Sequence, residues 1–185
     1  MAGKLFVVSG PSGVGKGTLL ALVLPELDGI QVVVSVTTRQ PRTGEVDGVD
    51  YFFVTDEEFD KLIAEDGLLE WAAVHGARYG TLRSEVLTAL SAGQDVVLEI
   101  DPQGARQVKD HYPDAVLLFI MPPSLDELRR RLVKRGTESE EAIDRRVAAA
   151  ASELQAVGEY DKLVINDDLT AAADELRTYM LSRRA

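Results

Sequence analysis

The stretch Gly10-Pro11-Ser12-Gly13-Val14-Gly15-Lys16-Gly17-Thr18 constrains this chain more than any other. It follows the apolar run Leu5–Val8 and opens a helical pattern, Lys16–Leu24, that stops at Pro25. A strand, a glycine-rich turn and a helix in that order make a concavity lined by backbone N–H groups. The positive end of the helix points into it, so phosphate is favoured there. Gly10, four residues and Gly15-Lys16 reproduce the phosphate-loop spacing, with Lys16 as a mobile cation for the β- and γ-phosphates. Glycines at 10, 13 and 15 permit the tight bend. Residues 10–18 are therefore the candidate nucleotide-phosphate cradle.

One position departs from that pattern. Gly17 stands where Ser or Thr would set a hydroxyl on Mg²⁺ in GTPases and ATPases. Mg²⁺ keeps its waters and is often held mainly by substrate phosphates. A kinase of small nucleotides can tolerate the loss of one protein ligand, and the ending Gly-Lys-Gly-Thr resembles the loop of adenylate kinases. The variation fits phosphoryl transfer between nucleotides better than a GTPase switch.

Short apolar runs at Leu5–Val8, Val96–Ile100, Ala115–Met121 and Leu163–Ile165 read as buried strands with helical patterns between them. That rhythm predicts an α/β core with a parallel sheet flanked by helices. Thr55-Asp56-Glu57-Glu58 opens a helix that Gly67 closes, and Ser124-Leu125-Asp126-Glu127 reads as a capping box. The Ala-rich Glu140–Val157 and the segment Leu169–Leu181 are further helices. Residues 35–93 break the rhythm: Tyr51, Phe52, Phe53, Trp71 and Tyr79 lie among turn residues, as in a small strand-rich insertion with Trp71 in its core. Residues 124–155 are helical and carry Arg129, Arg130, Arg131, Lys134, Arg135, Arg145 and Arg146. The expected organisation is one domain: a core of residues 1–34, 94–123 and 156–185, an insertion at 35–93 and a helical lid at 124–155.

Composition narrows the function classes. A chain of 185 residues is long enough for one domain with a substantial core. It has no cysteine, which excludes disulfides, thiolate catalysis and cysteine metal sites. A net charge of −11 argues against broad nucleic-acid binding, although clustered cations can still receive an anionic substrate. The apolar runs are too short to cross a membrane. Met1–Leu5 leads into a strand pattern rather than a signal peptide, so a cytoplasmic location is expected. No repeat or low-complexity linker interrupts the chain, and His75 and His111 carry no usable signal.

The stretch Ser35–Phe53, SVTTRQPRTGEVDGVDYFF, sets Arg39 and Arg42 around Pro41 with Tyr51 downstream. Two guanidinium groups and a phenol converging on one point make a phosphate clamp. Together with LLEWAAVHGARYGT, LEIDPQGA, RLVKRGTESEEAIDRRV and VINDDL, this series of motifs closely resembles the guanylate kinase family nearly end to end. The resemblance implies a phosphate-loop nucleoside monophosphate kinase that moves the γ-phosphoryl of ATP to GMP with Mg²⁺. By position, Arg39, Arg42, Tyr51 and Tyr79 correspond to ligands of the GMP phosphate, and Ser35, Glu70, Thr81 and Asp101 to readers of guanine. The chemistry agrees. Guanine presents two adjacent N–H donors and a carbonyl, so a carboxylate at Glu70 can accept both donors while Ser35 and Thr81 donate to the carbonyl. Adenine presents a bare acceptor there, and unpaired polar groups reject it.

The resemblance implies that Lys16 of the loop, Arg39 of the insertion, and Arg135 and Arg146 of the lid face the transferring phosphoryl group, where fixed cations lower the barrier. Arg131 lies one turn before Arg135 and, with Asn166 at a strand end, is expected near ATP. Arg129, Arg130 and Arg145 read as a solvated face. Glu99 stands where Asp is also seen in the family. With Asp101 it is expected to face the phosphates and touch Mg²⁺ through water, without direct metal ligation. Two other readings remain open. A ribose-bisphosphate kinase of this fold would not need Glu70 or the Ser35–Tyr51 signature. A non-catalytic phosphopeptide-binding module would not keep Lys16 and its glycines. Oligomeric state is not legible in the sequence.

Overall fold

The computed structural model describes residues 2–74, 76–135 and 139–184, with the side chains of Arg135 and Ala156 outside that description, as is His75. Among the described residues, five strands form a wholly parallel sheet: β1 (Leu5–Ser9), β2 (Ile30–Val32), β7 (Asp95–Glu99), β8 (Val116–Met121) and β9 (Lys162–Ile165). Their order is β2-β7-β1-β8-β9. β1 is buried along its whole length because both faces of the sheet are covered. Phe6 and Val8 pack on one side with α1 (Lys16–Val23) and α7 (Leu169–Arg183), through Leu19, Leu20, Leu176 and Met180. Leu5 and Val7 pack on the other with α3 (Arg83–Ser91) and α4 (Pro102–His111), through Val86, Leu90, Ala105 and Val108.

A second sheet has the order β4-β3-β6-β5, built from β3 (Val36–Thr37), β4 (Phe52–Phe53), β5 (Leu68–Val74) and β6 (Ala77–Leu82). Its own small core joins Val36, Phe59 and Leu68, with Phe59 on α2 (Asp56–Ala64). Trp71 is only partly drawn into it: the ring meets Phe59 edge-on at 6.2 Å and remains 37% exposed. A third apolar cluster, Leu128, Leu132, Ile143 and Ala150, joins α5 (Leu125–Arg135) to α6 (Glu140–Glu153).

Several local expectations shift. The first helix ends at Val23, and Pro25 sits inside a 3₁₀ turn, Leu24–Glu26, where its missing N–H has no partner to lose. The Ala-rich helix ends at Glu153 and continues as a 3₁₀ turn, Leu154–Glu159. The Thr55–Glu58 capping box is complete, but after α2 the left-handed residue is Asp66 (φ 53°), not Gly67, whose N–H closes the turn on the Leu62 carbonyl at 2.8 Å. At α5, Ser124 accepts from the Glu127 N–H, yet the Glu127 carboxylate turns to Arg130 and Arg131, so only half the expected capping box forms. The edge strand β2 carried no clear signal because it has three residues and its side chains are not fully buried.

Candidate functional site

The carboxyl ends of β1, β7, β8 and β9 meet where the connections diverge to either side of β1, the place where open parallel sheets bind ligands. The loop after β1 lies in that crevice. Gly10 has φ +140°, and a Cβ there would stand 2.3 Å from the Ile120 carbonyl oxygen on β8. Gly15 has φ +98° at the start of α1, where a Cβ would approach the Asn166 amide to 2.7 Å. No side chain fits either position, so backbone alone forms the cradle. Lys16 folds back over the loop, its Nζ donating to the Gly10 carbonyl at 2.6 Å and the Pro11 carbonyl at 3.3 Å.

Asn166 is buried and works as a strut. Its Nδ2 donates to the Val14 carbonyl at 2.8 Å, and its own carbonyl accepts from Arg131 Nη2 at 2.9 Å. Thr18, Arg131, Lys134 and Asn166 wall a recess of about 450 Å³ on the outer side of the loop. Arg131 therefore lies beside the loop rather than over its mouth.

The absent hydroxyl at Gly17 has a structural counterpart. A Cβ at Gly17 would meet Glu99 Oε2 at 3.3 Å, so the Glu99 carboxylate lies across the first turn of α1. Glu99 and Asp101 line the same cavity as Lys16. Asp101 caps α4, with Oδ1 accepting from the Gly104 N–H at 2.9 Å. Among the described residues there is no cluster of three or more His, Cys, Asp or Glu side chains arranged for a metal. The donor set at the loop, one carboxylate beside a phosphate cradle, fits a Mg²⁺ ion held chiefly by phosphates and water.

A cavity of about 620 Å³ runs from this loop to the second sheet, bounded by Gly10, Ser12 and Lys16 at one end and by Ser35, Glu70 and Asp101 at the other. Its size suits a nucleotide-sized ligand. Glu70 is 4% exposed and accepts a 2.6 Å hydrogen bond from the Thr81 hydroxyl. Burial pushes its carboxyl up to about 7, against the Thr81 hydrogen bond and with a further upward push from the Asp101 charge. The Thr81 hydroxyl, expected to donate to the base, here donates to Glu70.

Of the residues expected to bind a phosphate, Tyr51 and Tyr79 line the cavity, and Arg39 stands behind them rather than on its wall. Arg39 lies over the Tyr51 ring at 5.3 Å, and Tyr51 meets Tyr79 edge-on at 6.0 Å. Burial raises the Tyr51 phenol, which therefore stays a neutral donor. Glu45, not singled out from the sequence, grips Arg39 through two 2.9 Å bonds. Arg42 is not brought to the cavity wall: it is exposed, and its backbone N–H donates to Glu45 at 2.7 Å.

From α6, Arg146 reaches the cavity and donates to the Ser12 hydroxyl at 3.3 Å. The Arg135 side chain lies outside the described residues. Arg129 is partly exposed, as a solvated face requires, and it also bonds Asp144 and approaches Glu140 at 3.4 Å, tying α5 to α6. Glu153 also lines the cavity, and burial raises its carboxyl although Lys16 opposes this. Glu45 lies within the Ser35–Phe53 motif but carries no cation or phenol that the phosphate argument singled out, and Glu153 lies in no recognised motif.

A family model described as "Guanylate kinase" matches residues 2–183. The chain is 51% identical over 182 residues to the guanylate kinase of Desulfitobacterium hafniense, covering 98% of this chain and 91% of that protein. It is 56% identical over 173 residues to the guanylate kinase of Streptomyces coelicolor, covering 94% and 88%. The crystal structure of guanylate kinase from Anaplasma phagocytophilum superposes with a TM-score of 0.81 at 33% identity, over 99% of this chain and 87% of that one.

Proposed function

The chain belongs to the guanylate kinase family, and from that premise we propose that it transfers the γ-phosphoryl of ATP to GMP, giving ADP and GDP, within the cavity between its two sheets. One observation carries the reading. A single cavity has a backbone phosphate cradle with Lys16 at one end and a buried carboxylate, Glu70, at the other. That pairing matches a donor phosphate facing a guanine-bearing acceptor.

The chain's residues divide the work. The N–H groups of residues 10–18 and the positive end of α1 hold the donor phosphates. The recess beside Thr18, Arg131 and Asn166 receives the nucleoside part of ATP. Arg39, Tyr51 and Tyr79 take the GMP phosphate, and Arg42, exposed on the same loop, adds to its field from further away. Glu70 accepts the two adjacent guanine N–H groups, with Ser35 and Asp101 on either side. Lys16, Arg39, Arg135 and Arg146 are the cations that stabilise charge on the γ-phosphoryl oxygens as it passes in line to the acceptor. The acceptor is already an anion, so no side chain need remove a proton. Mg²⁺, when bound, screens the phosphate charges, and Glu99 is the carboxylate placed to orient its waters. Residues 124–155 act as a lid that excludes water, which would otherwise be phosphorylated. Residues 35–93 carry the acceptor site, and the remaining segments form the core. No helix among the described residues is long and apolar enough to cross a membrane, and a cytoplasmic site of action goes with this reading.

The test is ADP release with a panel of nucleoside monophosphates. Strong stimulation by GMP over AMP, CMP and UMP is expected. Equal stimulation by AMP, or ADP release independent of any acceptor, would overturn the assignment.

A further inference from the structure

Base selection in this reading depends on one buried carboxylate, and the structure shows what holds it. β5 is an edge strand of the second sheet, so one row of its backbone groups faces away from β6. Helix α4 covers that row. The Gln107 side chain brackets Trp71, donating from Nε2 to the Trp71 carbonyl at 2.7 Å and accepting from the Trp71 N–H at 3.1 Å. A primary amide carries the same donor and acceptor as a peptide group, so Gln107 replaces the missing strand partner. One turn further, His111 Nδ1 pairs with the Leu69 carbonyl at 2.8 Å. The two bracketed residues flank Glu70. The β5–β6 register also shifts between Leu68 and Glu70, an irregularity of the kind that re-aims a side chain.

The re-aimed carboxylate lies against Gly104. A Cβ at Gly104 would stand 2.4 Å from Glu70 Oε2 and 3.1 Å from its Cδ. This glycine does not have a positive φ and sits inside α4, so its backbone conformation gives no reason to prefer Gly. In a helix Ala is the better residue. What requires Gly here is the space that Glu70 occupies. Gly104, Gln107 and His111 fall at i, i+3 and i+7, on one helix face.

We propose that this face of α4 is a positioning device for base selection, in which Gly104 leaves room for the Glu70 carboxylate and Gln107 fixes the strand that carries it. The inference rests on the reading of Glu70 as the guanine acceptor. It adds specificity-determining residues that do not themselves touch the base.

The experiment is steady-state kinetics of the full chain with ATP and either GMP or IMP, which lacks the exocyclic amine, together with a thermal melt. Gly104→Ala should raise the GMP KM by about ten- to a hundredfold, the scale of a misplacement of order one ångström. The ATP KM should stay unchanged, and the preference for GMP over IMP should shrink. Gln107→Leu should act in the same direction with a smaller change. The shorter acid in Glu70→Asp makes room for a methyl group, so adding Gly104→Ala to that variant should do little further harm. An unchanged GMP KM and GMP/IMP ratio in Gly104→Ala would overturn the proposal. So would KM values for ATP and GMP rising together with a lowered melting temperature, since that is general damage. If Gly104→Ala yields no folded protein, Gln107→Leu decides, and an unchanged GMP KM there overturns it. Glu70→Gln separates the two layers. If it leaves the GMP/IMP ratio intact, the Glu70 reading fails and this inference falls with it. If it collapses the ratio while the Gly104 and Gln107 variants do not, only the α4 device fails.

Discussion

In the proposed reading the donor-phosphate end of the cavity is a backbone cradle, residues 10–18, with Lys16 folded over it, whereas the base end is built of side chains from separate strands and a helix. The first end uses dipoles that already exist in any glycine-rich turn before a helix, so nothing charged has to be buried to make it. The second end buries a carboxylate, which is costly unless partners compensate. Its partners are Thr81 from β6 and the space at Gly104 from α4. A backbone site is generic for phosphate, while a buried side-chain site discriminates because a wrong base leaves it unpaired.

The largest effect is expected where the generic end turns catalytic. Lys16→Ala should lower kcat by about a hundredfold or more with the fold intact, because the charge matters most in the transition state. Near-normal turnover would break the assignment of this loop to phosphoryl transfer.

At the selective end, Glu70→Gln opposes a donor to a guanine N–H. A loss of about 1–3 kcal/mol in kcat/KM for GMP is expected, with a smaller loss for AMP. The carboxyl sits near 7, and acceptance of two N–H groups requires the ionised form. GMP binding should therefore tighten as pH rises from about 6 to about 8 in the native chain and lose that dependence in Glu70→Gln. Folding stability has the opposite sign. A carboxyl raised above its unfolded value binds its proton more tightly when folded, so this group's contribution falls as pH rises from its ordinary range toward 7. Urea titrations of the unliganded chain against pH, with Glu70→Gln as the flat control, measure it. A native profile as flat as that of the variant would contradict burial as the cause of the shift.

Between the two ends, Arg39→Ala should raise the GMP KM more than Arg42→Ala, because only Arg39 is already stacked on Tyr51. Equal losses would mean that the loop swings Arg42 onto the phosphate as GMP binds. The smallest effect is expected at residue 17. Gly17→Ser should retain activity and an absolute need for Mg²⁺, since phosphates and water hold the ion and the flexible end of Glu99 need give only a few tenths of an ångström to a Cβ there. A Mg²⁺ titration of turnover checks this, and native activity that survives a chelator would sink the placement of the metal at the loop.

Much of the fold was legible because local signals carried it. Parallel strands covered on both faces read as unbroken apolar runs, and Leu5–Ser9 is such a run. Thr55 and Glu58 form the capping box that their spacing predicts. Less was legible at the termini of elements. Pro25 was tolerated in a 3₁₀ turn, and Asp66 took the left-handed position in place of Gly67, because both outcomes depend on what packs next to the turn.

The sequence by itself determined the parts of the site whose chemistry lies in consecutive residues: the loop at 10–18, the Arg39–Tyr51 segment and the presence of a carboxylate at Glu70. Only the tertiary structure decided how distant residues share a proton or a space. Thr81 donates its hydroxyl to Glu70, Glu45 grips Arg39, Asp101 caps α4, and Asn166 braces the loop through Val14. The Glu99 carboxylate lies beside residue 17, and Glu70 fills the space that a side chain at residue 104 would need. The physical reason is range. Helix, strand and turn preferences act over a few residues along the chain, but hydrogen bonds and excluded volume act over a few ångströms in space, between residues that the chain order leaves far apart.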